Sequence, residues 1–217
     1  LCSLINDRFY GGRLVPKVVL PPGAKVDGVP EWLASHNVLL IDTADLRPVG
    51  FYQGKSKGNI AHALVVQQIC ASLKAAGLAE VAGDVGVIAP YRPQVSLIED
   101  LIEEASLTNI SVGTVHRFQG AERRSMIVDL TESAPHIPGA FLGARHVRET
   151  GARLLNVALS RAQMRLLLVA NTAHIRASLN SEHILSGIVE ELASRGAVIP
   201  ASVLFPVGSD GVQVDAP

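Results

Sequence analysis

The sequence predicts an α/β domain: a parallel sheet with helices on both faces. Three observations carry that prediction. The chain has 217 residues, 48% apolar and 18% charged, enough to build one large buried core. Its apolar segments alternate between short runs and stretches of helical period. The short runs are apolar on both faces, as strands are when helices cover a sheet from both sides. The composition excludes disordered and charged-tail proteins, which lack the apolar surface to offset ordering entropy. Aromatics make up only 4%, so the core has to come from Val, Leu, Ile and Ala.

The elements follow in order. Val38-Leu39-Leu40-Ile41 reads as a strand. Asn59 caps a helix running to Gly77, with Ala61, Val65, Ile69, Leu73 and Ala76 on one face. Val85 to Ala89 is a second strand, followed by a helix that Pro93 starts, with Ile98, Leu101, Ile102 and Ala105 inward. Ile110-Ser111-Val112 and Met126-Ile127-Val128 are further strands. Leu154 to Ala162 reads as a helix, Leu166 to Val169 as a fully apolar strand, and His183 to Arg195 as a closing helix that Gly196 ends. The domain is expected over residues 1–199, with 200–217 as a tail or linker. The segment from Thr131 to Thr150 is long for a loop in a compact domain, and such loops are usually functional or disordered.

Several classes fall away. Seven His show no HExxH spacing, and the two cysteines, Cys2 and Cys70, form no CxxC, so no metal site is expected. Cys70 sits in a helical apolar pattern and reads as a small core residue. No apolar run spans a bilayer and no signal peptide opens the chain, so no membrane partner and a cytoplasmic location are expected. Residue 1 is Leu, and Met occurs only at 126 and 164, so the chain reads as a piece of a longer protein. Charge is uneven. Residues 117–165 carry eight Arg, no Lys and four acids, a net of +4, against −2 before and −3 after. Guanidinium groups match phosphates in a forked geometry, although a solvated surface also accounts for such a stretch.

Ligands of parallel sheets sit beyond the carboxyl ends of the strands. That rule points to Pro90-Tyr91-Arg92, to the turn after Val112 and to the segment after Val128. Within Gly113-Thr114-Val115-His116-Arg117-Phe118-Gln119-Gly120-Ala121-Glu122, Thr114 offers a hydroxyl to a phosphate. Gly120 admits a close backbone approach, and Glu122 is an acceptor for a ribose or a water. An ordinary connection with Gly120 as its turn residue fits the spacing too. In Arg153-Leu154-Leu155-Asn156-Val157-Ala158-Leu159-Ser160-Arg161-Ala162, an Arg within an apolar helix needs an anionic partner. A ligand and a structural salt bridge both meet that need.

Taken together, these segments resemble the second motor domain of superfamily 1 helicases, in the branch that moves 5′ to 3′ on DNA or RNA. Residues 114–122 look like motif V, 156–162 like motif VI and 88–94 like motif IV. Arg8 to Leu14 is similar to the stretch that follows motif III, and the resemblance runs from residue 5 to about 196. It implies a RecA-like α/β fold in an ATP-dependent helicase. Arg161 matches the motif VI arginine finger, the catalytic residue. Gly120 and Glu122 match nucleotide-side positions, with Gln119 linking the two sides. Thr114 and His116 match nucleic-acid contacts, and Tyr91 of the motif IV match is grouped with them. Three positions depart from the pattern: His62 stands where the family often has Glu, Leu154 where it has a second Arg, and Arg124 where it often has Asp.

No G-x-x-x-x-G-K-[ST] loop and no Asp-Glu magnesium pair occurs in the chain. The resemblance assigns both to an upstream RecA-like domain of the same polypeptide. ATP and Mg2+ are thus expected to bind with that domain's help, single-stranded DNA or RNA is the expected partner, and the chain alone is expected not to hydrolyse ATP. Two other readings remain. One is a catalytically idle helicase-like binding or regulatory module. The other is an unrelated doubly wound nucleotide-binding domain, which would predict a Gly-rich first turn, whereas Asp42-Thr43-Ala44-Asp45 follows Ile41.

Overall fold

A computed structural model describes residues 2–15, 29–47 and 49–205. The chain enters through a short helix α1 (Cys2–Ile5), a π-helical turn (Asn6–Tyr10) and α2 (Glu31–Ala34). Then follow β1 (Val38–Asp42), a hairpin of β2 (Gly50–Gln53) and β3 (Ser56–Asn59), and α3 (Ile60–Ala75). Next come β4 (Val85–Ile88), α4 (Arg92–Glu104), β5 (Ile110–Gly113), a 3-10 turn (Val115–Phe118) and β6 (Arg123–Asp129). The chain closes with α5 (Thr150–Ser160), β7 (Ala162–Ala170), α6 (Thr172–Ser178), α7 (Ile184–Ser194) and β8 (Val198–Pro200).

Six strands form one parallel sheet in the order β5-β4-β6-β7-β1-β8. One face packs Leu155, Leu159, Ile188 and Leu192 of α5 and α7 against Met126, Val128, Leu166 and Leu168. The other packs Val65, Ile69 and Ile98 of α3 and α4 against Val87, Ile127, Leu167 and Val169. Each such side chain stabilises the fold by about 1.5–3 kcal/mol on burial. Cys70 is fully buried, and burial pushes its thiol up, away from thiolate chemistry. No helix among the described residues is long and apolar enough to cross a membrane.

The predicted strands are all present, with shifted edges. Asn59 caps α3 as expected, its side chain accepting from the His62 amide. The α3 buried face is broader than the predicted stripe and takes in His62 and Cys70, while Ala61 and Ala76 are half-buried. Ala105 is exposed, because α4 ends just before it. Helix α5 starts four residues earlier than the expected Leu154 and stops at Ser160, since Ala162 already pairs with Arg123 in the sheet. Packing continues past residue 199: β8 pairs with β1, and Ala201 and Leu204 are buried. Most of the expected tail, residues 206–217, lies outside the described residues.

Candidate functional site

The motif V segment crosses the sheet from one end to the other. Thr114 follows the last residue of β5, at the carboxyl end, and Glu122 precedes the first residue of β6, at the amino end. Between them the Val115–Phe118 turn lies on the α5 face, anchored by the buried Val115 and Phe118. His116, Gln119, Gly120 and Glu122 are exposed. Gly120 has φ +79°, a conformation Gly adopts without strain. No heavy atom stands within 4 Å of where its Cβ would lie, so the backbone turn, not packing, requires the glycine. The Glu122 carboxylate accepts from Gln163 Nε2 at 3.2 Å.

Arg161 arrives at the same amino edge. It is the C-cap of α5, and its carbonyl accepts from the Arg123 amide at 3.0 Å. That bond ties motif VI to motif V. The half-buried guanidinium donates from Nε to Val157 O at 3.3 Å and from Nη2 to Ser160 Oγ at 3.0 Å. No carboxylate of the described residues lies within ion-pair distance of it. Among the eight arginines of 117–165, Arg117, Arg124 and Arg145 have acidic partners, while Arg123, Arg148, Arg153, Arg161 and Arg165 have none among the described residues. The internal salt bridge that sequence left open for Arg161 is therefore not formed within the described residues. Asn156 of the same helix instead donates to the Tyr10 hydroxyl at 3.0 Å.

At the carboxyl end, Tyr91, Thr114, His116, Ala140, Phe141 and Leu154 border a cavity of about 160 Å³. The half-buried Thr114 makes no side-chain hydrogen bond within the described chain, so its hydroxyl is available to a ligand. Larger and shallower depressions lie between the hairpin and α4, about 790 Å³, and along β5, about 400 Å³. Neither contains the expected site residues.

Beneath the cavity lies a buried polar network that the sequence did not show. Asp129, the last residue of β6, accepts from His62 Nδ1 at 2.8 Å, from Gln94 Nε2 at 2.6 Å and from the Thr131 amide at 2.7 Å. His62 Nε2 meets Thr43 Oγ1 at 2.8 Å, and Asn59 Nδ2 donates to Thr131 O and Ser133 Oγ, both at 2.9 Å. All of these residues are at most 2% exposed. His62 is thus bound into the carboxyl end, opposite to Gly120, Glu122 and Arg161. The next residues continue the network. Glu132 accepts from the Tyr91 hydroxyl and from the Gly139 amide at 2.9 Å, and pairs with Lys57 Nζ at 3.1 Å. Burial, then Glu132, pushes the Tyr91 hydroxyl up, so it stays a proton donor. The sequence signal for this region was an acid closing an apolar strand, together with Gln94 in the motif IV match.

His136 fastens the segment to the hairpin. Its Nε2 bonds Phe51 O at 2.9 Å, and its Nδ1 accepts from the Ser133 amide at 3.4 Å, a pattern that suits the neutral ring. Burial lowers the pKa of His136 and of His174 from the ordinary value of about 6.5. As pH falls, the unfolded chain takes up these protons first. Their contribution is therefore fully present above about pH 6.5 and is lost below it. The urea midpoint is expected to hold above that pH and drop below it, with the drop flattened in His136→Gln/His174→Gln. An unchanged acid limb in that variant would remove both residues from the account.

Among the described residues no group of three or more His, Cys, Asp or Glu is arranged to hold a metal ion. A model of the family described as AAA domain matches residues 1–173. The DNA replication ATP-dependent helicase/nuclease dna2 of Schizosaccharomyces pombe is 27% identical over 203 residues, covering 84% of this chain and 14% of its own. The DNA polymerase alpha-associated DNA helicase A of the same yeast is 31% identical over 201 residues, covering 87% of this chain and 28% of its own. Human RNA helicase Mov10l1 is 34% identical over 125 residues, 55% of this chain and 10% of its own. The chain thus spans a small part of each relative. The family match over residues 1–173, together with the helicase relatives and the six-stranded parallel sheet, shows that this chain belongs to the AAA domain family and is a second RecA-like domain of the superfamily 1 helicase type.

Proposed function

We propose that this domain is the trans half of an ATP-driven helicase or translocase of the 5′-to-3′ branch. The observation that carries the reading is the path of motif V. It sets Thr114 and His116, with Tyr91, at the carboxyl end, and Gly120 and Glu122, with Arg161, at the amino end. One continuous segment therefore ties a strand-binding side to a nucleotide side. In this reading Gly120, Glu122 and Gln119 meet the nucleotide, and Arg161 reaches the γ-phosphate as an arginine finger. ATP is the substrate. The phosphate loop and the Mg2+ carboxylates belong to an upstream RecA-like domain of the same polypeptide, so this chain alone turns over no ATP. Closing the cleft on ATP and opening it after hydrolysis steps the protein along single-stranded DNA or RNA. A cytoplasmic place of work belongs to the same proposal.

Thr114→Ala tests the strand side. The variant loses one neutral hydrogen bond to a phosphate, worth about 0.5–1.5 kcal/mol. Strand affinity is expected to fall accordingly, and the salt slope to stay, because no cation is removed. Equilibrium binding of a labelled strand across a salt series reads both. Unchanged strand affinity alongside lost nucleotide affinity would put Thr114 on the other side.

A further inference from the structure

We propose that Glu132 is a positioning residue that fixes the Tyr91 ring as the wall of a pocket for a single nucleobase. This rests on the strand-binding reading above and specifies what the strand offers there. The Glu132 carboxylate is 1% exposed, and three elements converge on it. Tyr91, just after β4, donates its hydroxyl; Gly139 donates its amide at 2.9 Å; Lys57 of the β2–β3 hairpin pairs with it at 3.1 Å. The Lys57 ammonium also stands 5.4 Å from the Tyr91 ring centroid, within cation–π range. A Cβ on Gly139 would lie 2.4 Å from the Tyr91 hydroxyl and 2.9 Å from the Glu132 carboxylate, so no larger residue closes over the cluster without a shift.

The consequence is chemical. The Tyr91 proton is committed to Glu132 and is not offered to a phosphate. What Tyr91 brings to the cavity is its ring, held at one angle. The remaining border is apolar at Ala140, Phe141 and Leu154, with Thr114 and His116 as the polar members. At about 160 Å³ the cavity is smaller than the roughly 300–1,000 Å³ of sites for drug-sized ligands and admits one ring system. An unstacked base of a strand whose phosphate meets Thr114 fits those features, since bases stack on aromatic side chains whatever their identity. The assignment also gives a role to the long connection after β6: its first residues hold this wall in place.

The test measures binding of this chain to a labelled oligothymidylate and to an abasic strand with the same number of phosphates. The parent is expected to prefer the thymidylate by about fivefold or more, the size of one stacked base. Glu132→Leu, which leaves no acceptor for the Tyr91 hydroxyl, and Tyr91→Phe should each remove most of that preference, and affinity for the abasic strand should stay within about twofold, since no phosphate contact is lost. Tyr91→Phe keeps the ring and frees its angle, so it decides the matter if Glu132→Leu does not fold. In the Tyr91→Phe background, Glu132→Leu should add nothing. A preference retained by either folded variant, or absent from the parent, overturns the assignment. A parent that binds neither strand defeats the strand-binding reading itself.

Discussion

In a polypeptide that joins this domain to a phosphate-loop domain, Arg161→Ala is expected to lower ATP turnover by about 10³-fold or more, the scale of a lost arginine finger. Apparent ATP affinity should fall far less, because the charge Arg161 offsets develops mainly in the transition state. Arg161→Lys should not restore turnover, since an ammonium cannot reproduce the planar fork. The structure supports this in three ways. The guanidinium is oriented by Val157 O and Ser160 Oγ, which limits the rotamer freedom lost on reaching a phosphate. It has no carboxylate partner among the described residues, so its charge is not already neutralised. Its carbonyl is bonded to Arg123, directly after Glu122, so both candidates move as one edge. Steady-state kinetics of the three proteins decides the matter. Near-parent turnover in the alanine variant removes the arginine-finger role and favours an idle relative kept for binding.

The sequence disclosed the layers of this fold and little of what joins them. β1, β4, β6 and β7 were legible because each holds a run that is apolar and buried on both faces, at residues 39–41, 85–88, 126–128 and 166–170. The β2–β3 hairpin was missed: its residues are polar or Gly outside Phe51 and Tyr52, and it pairs only with itself. The ends of α5 were misjudged because its N-cap, Glu149, is not a favoured capping residue and makes no side-chain cap bond; its carboxylate accepts instead from the Arg145 and His146 amides ahead of the helix. The site divided in the same way. Gly120, Glu122 and Arg161 came from motifs and stand at the amino edge, whereas the rule that ligands sit at carboxyl strand ends points to the edge where Thr114 and Tyr91 stand. Of the clamp around Glu132 and Asp129 the sequence showed only an acid closing an apolar strand and Gln94, not the contacts between them. Glu132 and its ion-pair partner Lys57 lie 75 residues apart, and each member alone reads as an ordinary residue.

That network carries the largest stability effect expected here. Asp129 is fully buried, and its two oxygens take donors from α3, from α4 and from the chain just beyond β6. Asp129→Ala leaves the His62 and Gln94 side chains and the Thr131 amide without their acceptor, in a place water does not reach. Each stranded buried group is worth about 1–3 kcal/mol, and breaking a buried ionisable pair costs about 3–5 kcal/mol. A loss of about 3–5 kcal/mol is therefore expected, a large share of the roughly 5–15 kcal/mol that holds a domain folded. Asp129→Asn keeps the shape and one acceptor oxygen, so it should lose less. The surrounding apolar sheet predicts where the damage shows first. Val128 and Leu130 stay buried on either side, so β6 should hold while the Thr131–Gly139 connection and the hairpin loosen. Urea unfolding gives the total, and amide hydrogen exchange separates the local opening from the global one. A midpoint shift equivalent to less than about 1 kcal/mol, the worth of a single ordinary hydrogen bond, would mean that Asp129 is not the residue that ties these elements together.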